Sequence, residues 1–237
     1  MAGYPFEPVN LLAFDTSTDI LSLALARGEH RREHTGPGGA QASATLIPAL
    51  MAVLADAGLR LPDLDAIVFG RGPGSFTGLR TACAVAQGLA FGSGVPVLPV
   101  ETLLAVAEEA RARHGATQVV ALLDARMDQV YAGAYVFDGA QWERQGEFGL
   151  LAPEAVEVPA GWALAGNAFQ AYGARLPAGP QRLEALPTAA ALLRLAPGLL
   201  AAGQAQPAAG ALPLYIRDKV AQTTAERAAV RAAANPP

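Results

Sequence analysis

VFGRGPGSFTGLR, residues 68–80, is the stretch whose reading decides the fold. It opens as the end of an apolar strand, passes glycines at 70, 72, 74 and 78, and runs into an amphipathic stretch. Many folds hold a phosphate at such a strand–loop–helix junction, because unpaired backbone N–H groups and the helix dipole face the anion. No nucleotide fingerprint is matched in full. A Walker A loop needs Lys and a hydroxyl residue directly after its last glycine, to reach the phosphates and Mg²⁺. Leu79-Arg80 stand there instead. Against G-x-G-x-x-G, Gly72, Gly74 and Gly78 displace the third glycine by one position. Glu101, however, ends the next strand, where an acid can take a ribose. Two readings stand: a dinucleotide loop, or glycines (Gly70, Gly72, Gly74 and Gly78, with Arg71 among them) that serve tight turning and close backbone approach without a ligand.

Working outward, a helix is expected over 75–91 and a strand over 95–100, a strand–helix–strand unit of the length of a parallel crossover. Residues 101–113 continue as a helix. Upstream, 11–15 is an apolar strand that enters the polar turn 15–19. Leu21, Leu23 and Leu25 then alternate with Ser22, Ala24 and Ala26, the period-two signal of a hairpin. Residues 28–40 read as a polar loop ending in Gly and Pro. A helix over 43–57 follows, with Leu46, Leu50, Val53 and Leu54 at helical spacing and Gly58 as its stop. Pro48 lies near its start or kinks it.

The opening pattern then returns. Residues 119–123 form an apolar strand ending in Asp124, a polar turn covers 125–129, and 130–137 is the returning strand. Asp138-Gly139 makes a tight turn into a third strand. Writing strand, Asp, turn, strand twice predicts an internal duplication and two α/β lobes. The expected boundaries are 1–103 for an N-terminal lobe, 104–220 for a C-terminal lobe, and 221–237 for a disordered tail. A short strand at 162–165, a helix near 188–195 and a segment 212–220 that packs back on the body complete the expected elements.

With 237 residues, 52% hydrophobic and 16% charged, the chain is long and apolar enough to bury a substantial core, which excludes disorder as a whole. A net charge of -4 argues against a stand-alone nucleic-acid binder, which carries a basic stripe. Cys83 is the single cysteine; that rules out a disulfide framework and fits a reducing cytosol. The start, MAGYPFEPVN, lacks a basic stretch followed by an apolar core, so no signal peptide is expected. No apolar run reaches the roughly 18 residues of a membrane span. A cytoplasmic protein is expected.

Other motifs weaken on inspection. His30-Arg31-Arg32-Glu33-His34 spells the H-x-x-E-H of one class of zinc peptidases. Two His at i and i+4 share a metal only on a helix, and nothing apolar anchors one here, so a solvated strand end is the expectation. Ser75 is not set in G-x-S-x-G, and no His is placed as its base. Cys83, in an Ala-rich helix, reads as a small buried residue. Asp15 and Asp124 could hold Mg²⁺ through water, but an Asp closing a strand into a turn is usually structural.

Phe14-Asp15-Thr16-Ser17-Thr18, residues 69–80, Ala86-Gln87-Gly88-Leu89-Ala90, Asp124-Ala125-Arg126-Met127 with Val130-Tyr131, and Leu214-Tyr215-Ile216-Arg217 together resemble the TsaB (YeaZ) family, from about residue 11 to 220. The resemblance implies a two-lobed α/β fold of the actin-like and Hsp70 ATPase class (ASKHA, ribonuclease H-like), with duplicated lobes. It also implies a role in making N6-threonylcarbamoyladenosine at position 37 of tRNAs that read ANN codons. The implied partner is a catalytic TsaD-type subunit, which transfers the threonylcarbamoyl group from its adenylate, the product of TsaC. A TsaE-type ATPase acts through the complex, tRNA is met only within it, and the chain alone forms a homodimer.

TsaD carries a metal-binding H-x-x-x-H pair that, counted from Gly72-Pro73-Gly74, falls here on Thr102 and Val106. Val106 offers no ligand atom. Asp15, Thr16 and Ser17 lack the glycine that lets a phosphate hairpin hug a nucleotide, and read as a vestigial site. The resemblance thus implies a non-catalytic scaffold with no cofactor. Its partner surface is expected on the two helices around the glycine loop, at Leu46, Ile47, Leu50, Met51, Leu54, Phe76, Leu79, Cys83 and Ala86. A nucleotide-binding or weakly ATP-hydrolysing protein of the same fold is the alternative. A peptidase is a third reading, for which the residues offer neither a nucleophile–base pair nor a metal set.

Overall fold

The structure is a computed structural model and describes residues 9–217. Two five-stranded sheets organise the chain. In the first, β1 (Asn10–Asp15), β2 (Ile20–Arg27) and β3 (His30–Pro37) form an antiparallel meander. β4 (Ala66–Gly72) and β5 (Val97–Glu101) add in parallel, in the order β3-β2-β1-β4-β5. The second sheet repeats this with β6 (Gln118–Arg126), β7 (Gln129–Phe137), β8 (Trp142–Leu151), β9 (Ala163–Gly166) and β10 (Arg182–Glu184), in the order β8-β7-β6-β9-β10. The duplication expected from Asp15 and Asp124 therefore extends to whole sheets. β6 stands where β1 stands, and each carries its Asp at or near its C-terminal end.

Side-chain size along β1 and β2 decides which helices cover which face. Leu12, Phe14, Leu21, Leu23 and Leu25 pack under α1 (Ala42–Asp56) and α2 (Phe76–Ser93). Leu11, Ala13, Ala24 and Ala26 face α5 (Ala189–Ala201), whose own Ala189, Ala191 and Ala196 lie against them. Both faces are buried, so the alternation read in β2 is one of large and small residues. α3 (Thr102–His114) follows β5 and packs Leu103, Val106, Ala107 and Ala110 on the second sheet. The far face of that sheet is closed by the short α4 (Phe169–Tyr172) and by Val156 and Leu176.

α3 and α5 meet through a network of charges. Arg194 donates to Glu108 at 2.8 Å and to Glu109 at 2.6 Å. Glu108 also accepts from Arg111 at 2.8 Å and from the Trp142 indole at 3.0 Å. Burial pushes the Glu108 carboxyl up, but hydrogen bonds from Arg111, Trp142 and Arg194 outweigh it and hold the group below its ordinary value. Thr188 accepts from the Ala191 amide at 3.1 Å as the cap of α5, and donates to Glu109 at 2.8 Å.

Several expectations need correction. Residues 30–37, expected within a polar loop, pair with β2 as an edge strand. An edge needs no apolar face of its own when its neighbour supplies the ladder, and its charges discourage further pairing. His30 and His34 are four residues apart on an extended strand, about 13 Å, so they do not share a metal. α1 runs through an exposed Pro48 after starting upstream of it, and α5 continues past residue 195 through Pro197. Residues 212–217 do pack back on the body, whereas 218–220 and the tail at 221–237 lie outside the described residues.

Candidate functional site

The glycine loop meets the tip of the β1–β2 hairpin, backbone against backbone. The Ser75 amide donates to the Ser17 carbonyl at 2.7 Å, and the Thr16 hydroxyl donates to the Gly78 carbonyl at 2.7 Å. A Cβ on Gly78 would overlap the Thr16 carbonyl oxygen, and one on Gly70 would overlap the Asp15 carboxylate. At Gly74 it would lie 2.6 Å from the Ser17 Cβ. The glycines therefore serve close approach between the loop and the hairpin, where a side chain would not fit. The Ser75 hydroxyl accepts from the Gly78 amide as the cap of α2, so it is spent on the helix N-terminus.

Asp15 lies fully buried beneath this contact. Its Oδ1 accepts from the Ser17 amide at 2.8 Å and hydroxyl at 2.6 Å, and its Oδ2 has no hydrogen-bond partner. Burial pushes the carboxyl up to about 6, against the pull of the two Ser17 hydrogen bonds. Asp124, its counterpart, accepts from the Arg126 amide at 2.7 Å and the Tyr172 hydroxyl at 3.0 Å. Both acids brace their own turns.

The dinucleotide reading of the loop does not survive. Glu101 is taken up by Arg71 at 3.4 Å, Arg144 at 3.3 Å and the Tyr135 hydroxyl at 3.4 Å. Thr102 accepts from the Gly72 amide at 3.0 Å, and Val106 is core. Among the described residues no group of three His, Cys, Asp or Glu is placed to hold a metal. The Cys83 thiol is buried, and burial pushes it up to about 11, so it is not a nucleophile.

Between the lobes lies a cleft of about 670 Å³. The hairpin tip at Ser17–Asp19, the start of α2, the β6–β7 turn and residues 214–217 line it. Arg126 of that turn reaches Asp19 of the opposite hairpin at 2.7 Å.

The residues expected to face a partner divide sharply. Leu46, Leu50, Leu54, Cys83 and Ala86 are buried in the core under the first sheet, and Leu79 is buried too. They present no surface, because the sheet claims that side of both helices. Ile47 and Met51 are 47% and 48% exposed. Phe76 is half-buried, stacked on Tyr215 with ring centroids 5.5 Å apart and covered by the Arg80 guanidinium at 3.9 Å.

Ile47 and Met51, both expected on the partner surface, belong to a second stripe whose other members the reading of the sequence missed. Ala44, Ile47, Pro48, Met51, Ala52 and Ala55 are all exposed, at i, i+3, i+4, i+7, i+8 and i+11 of α1. On α2, Thr77, Ala84, Gly88 and the 86%-exposed Phe91 continue the same spacing. Both stripes point away from the sheet. The signal lies in apolar residues on every side of α1, a pattern that a surface helix does not need. The partners of Tyr215 and Arg217 leave no local signal at all.

The chain resembles known proteins over most of its length. A family model described as TsaD, tRNA N6-adenosine threonylcarbamoyltransferase, matches residues 31–177. The tRNA threonylcarbamoyladenosine biosynthesis protein TsaB of Escherichia coli (strain K12) is 33% identical over 226 residues, 90% of this chain and 96% of that protein. The structure of YeaZ from Pseudomonas aeruginosa superposes with a TM-score of 0.82 at 41% identity, covering 88% of this chain and all of that one. A second structure, described as an uncharacterized protein with similarity to peptidase YeaZ from Pseudomonas aeruginosa, matches with the same TM-score and identity.

Proposed function

The chain belongs to the TsaB family, and on that premise we propose that it is a non-catalytic subunit for the formation of N6-threonylcarbamoyladenosine in tRNA. It works beside a TsaD-type catalytic subunit in the cytoplasm. A TsaE-type ATPase joins through the complex, and the TsaD-type subunit carries most of the tRNA contacts, in keeping with this chain's net charge of -4. The observation that carries the reading is the exposed apolar face of α1 and α2, beside a glycine loop stitched to its hairpin. Where Ser17 and Ser75 join, the Ser75 amide is already taken by the Ser17 carbonyl. Meanwhile α1 offers water six apolar or small residues in one stripe, and α2 adds Ala84, Gly88 and Phe91. Small residues at this spacing let two helix pairs approach to about 8–10 Å between axes, the geometry of a four-helix bundle. The same face joins two copies of the chain when the partner is absent.

Size-exclusion chromatography with light scattering tests this, on the chain alone and mixed with the TsaD-type subunit of the same genome. A homodimer that gives way to a heterodimer is the expected result. Met51→Arg and Phe91→Arg, with unchanged circular dichroism, should abolish both and stop modification of tRNA in the reconstituted system. A heterodimer that survives both variants would remove this face from the proposal. Full modification activity without this chain would remove the function itself.

A further inference from the structure

The cleft between the lobes is bridged by the chain's own residues 214–217. On the first lobe, the Leu214 amide donates to the Arg71 carbonyl at 2.7 Å. Tyr215 packs on Phe76, and its hydroxyl accepts from Arg80 Nε at 3.1 Å. On the second lobe, Arg217 donates to the carbonyl oxygens of Ala125 at 3.0 Å and Arg126 at 3.4 Å, and to Gln129 Oε1 at 2.8 Å. That turn needs support. Arg126, Met127 and Asp128 have φ of 59°, 55° and 57°, a left-handed run that is costly for three residues with side chains.

In hinged two-lobed proteins, a ligand touching both lobes sets the angle between them. Here the segment that touches both is part of the chain. It continues directly from Ala211, which is buried in the core of the first lobe. Such a tethered group acts at a high effective concentration and needs no ligand from solution. We infer that residues 214–217 are a built-in ligand of the interlobe cleft, a strap that holds the two lobes at one angle with no bound nucleotide. Arg217 is its anchor on the second lobe and Tyr215 its anchor on the first.

Distances between the lobes test this on the full chain. Because Cys83 is buried, spin labels can be directed to Glu29→Cys in the β2–β3 turn and Ala140→Cys in the β7–β8 turn, both exposed and equivalent in the two lobes. The labelled chain is diluted with unlabelled chain so that only distances within one molecule are read. Pulsed dipolar spectroscopy is expected to give one narrow distribution, unaltered by millimolar Mg-ATP. Arg217→Ala and Tyr215→Ala should each broaden it beyond the parent width. If Arg217→Ala does not fold, Arg217→Lys is read in its place, since it keeps the charge and loses the forked donors. Distributions as narrow in both variants as in the parent overturn the inference. A broad parent distribution, or one that Mg-ATP narrows or moves, overturns it equally.

Discussion

The Ser75 amide donates to the Ser17 carbonyl across 2.7 Å, so the glycine loop is stitched to the hairpin that would otherwise share a phosphate with it. An amide at a helix N-terminus is the usual donor to a bound anion. Here the chain's own carbonyl takes that position. The strand–loop–helix architecture is kept, and one of its amides is used to pack two elements together.

Gly78→Ala should therefore destabilise the protein by about 1–3 kcal/mol, the range for overpacking, despite the better helix propensity of Ala. The added Cβ meets the Thr16 carbonyl, which is backbone and has little freedom to yield. Gly88 lies in the same helix, and a Cβ added there would have nothing within 4 Å. Gly88→Ala should stabilise by about 0.5–1 kcal/mol. Urea unfolding of both variants checks the contrast; equal signs would mean that the hairpin contact does not decide.

Asp15 should make stability fall as pH rises. Its carboxyl titrates at about 6 in the folded protein and near 3.8 when exposed, so the folded state holds the proton more tightly. Stability from this group is full below about pH 4, declines between 4 and 6, and is absent above. The difference is about 3 kcal/mol at 1.36 kcal/mol per pKa unit. Asp15→Asn should lack this decline. Urea unfolding of both proteins at several pH values from 4 to 7.5 gives the difference, and parallel curves would refute the assignment.

Arg194→Ala should cost about 2 kcal/mol, because it removes the donor that Glu108 and Glu109 share between α3 and α5. Glu108 retains Arg111 and the Trp142 indole, and Glu109 retains the Thr188 hydroxyl at 2.8 Å and Arg113 at 3.8 Å, so neither acid is left without a partner. A thermal unfolding shift worth less than about 1 kcal/mol would mean that water reaches the acids once Arg194 is gone.

Leu50→Ala and Met51→Ala, neighbours in sequence, should behave as opposites. Leu50 is buried beneath α1, and its truncation should cost about 2–5 kcal/mol. Met51 is 48% exposed, and its truncation should change the stability of the monomer by less than about 0.5 kcal/mol while weakening assembly. Unfolding measured at low protein concentration, beside light scattering at high concentration, separates the two effects.

Much of this molecule is legible in its residues alone. Period-two runs at β1 and β2, helical spacing in α1 and the crossover through the glycine loop are local patterns, and local patterns follow from backbone geometry. The repeat of strand and Asp at Asp15 and Asp124 carries the duplication. Residues 69–80 carry the family. β3 is not legible, because His30–Pro37 is a strand only by virtue of β2 beside it.

The faces of α1 are the hardest to read. Leu46, Leu50 and Leu54 make one apolar stripe and Ala44, Ile47 and Met51 another, and spacing cannot tell which stripe the sheet will take. By itself, then, the sequence determined most of the elements, their duplication and the family, all of which depend on neighbours along the chain. Only the tertiary structure decided that Thr16 and Ser17 bond to the glycine loop, that the leucine stripe faces inward, and that Arg217 grips a turn some ninety residues away. Those outcomes depend on which surfaces meet when distant segments pack, and no spacing within a segment encodes the identity of its neighbour.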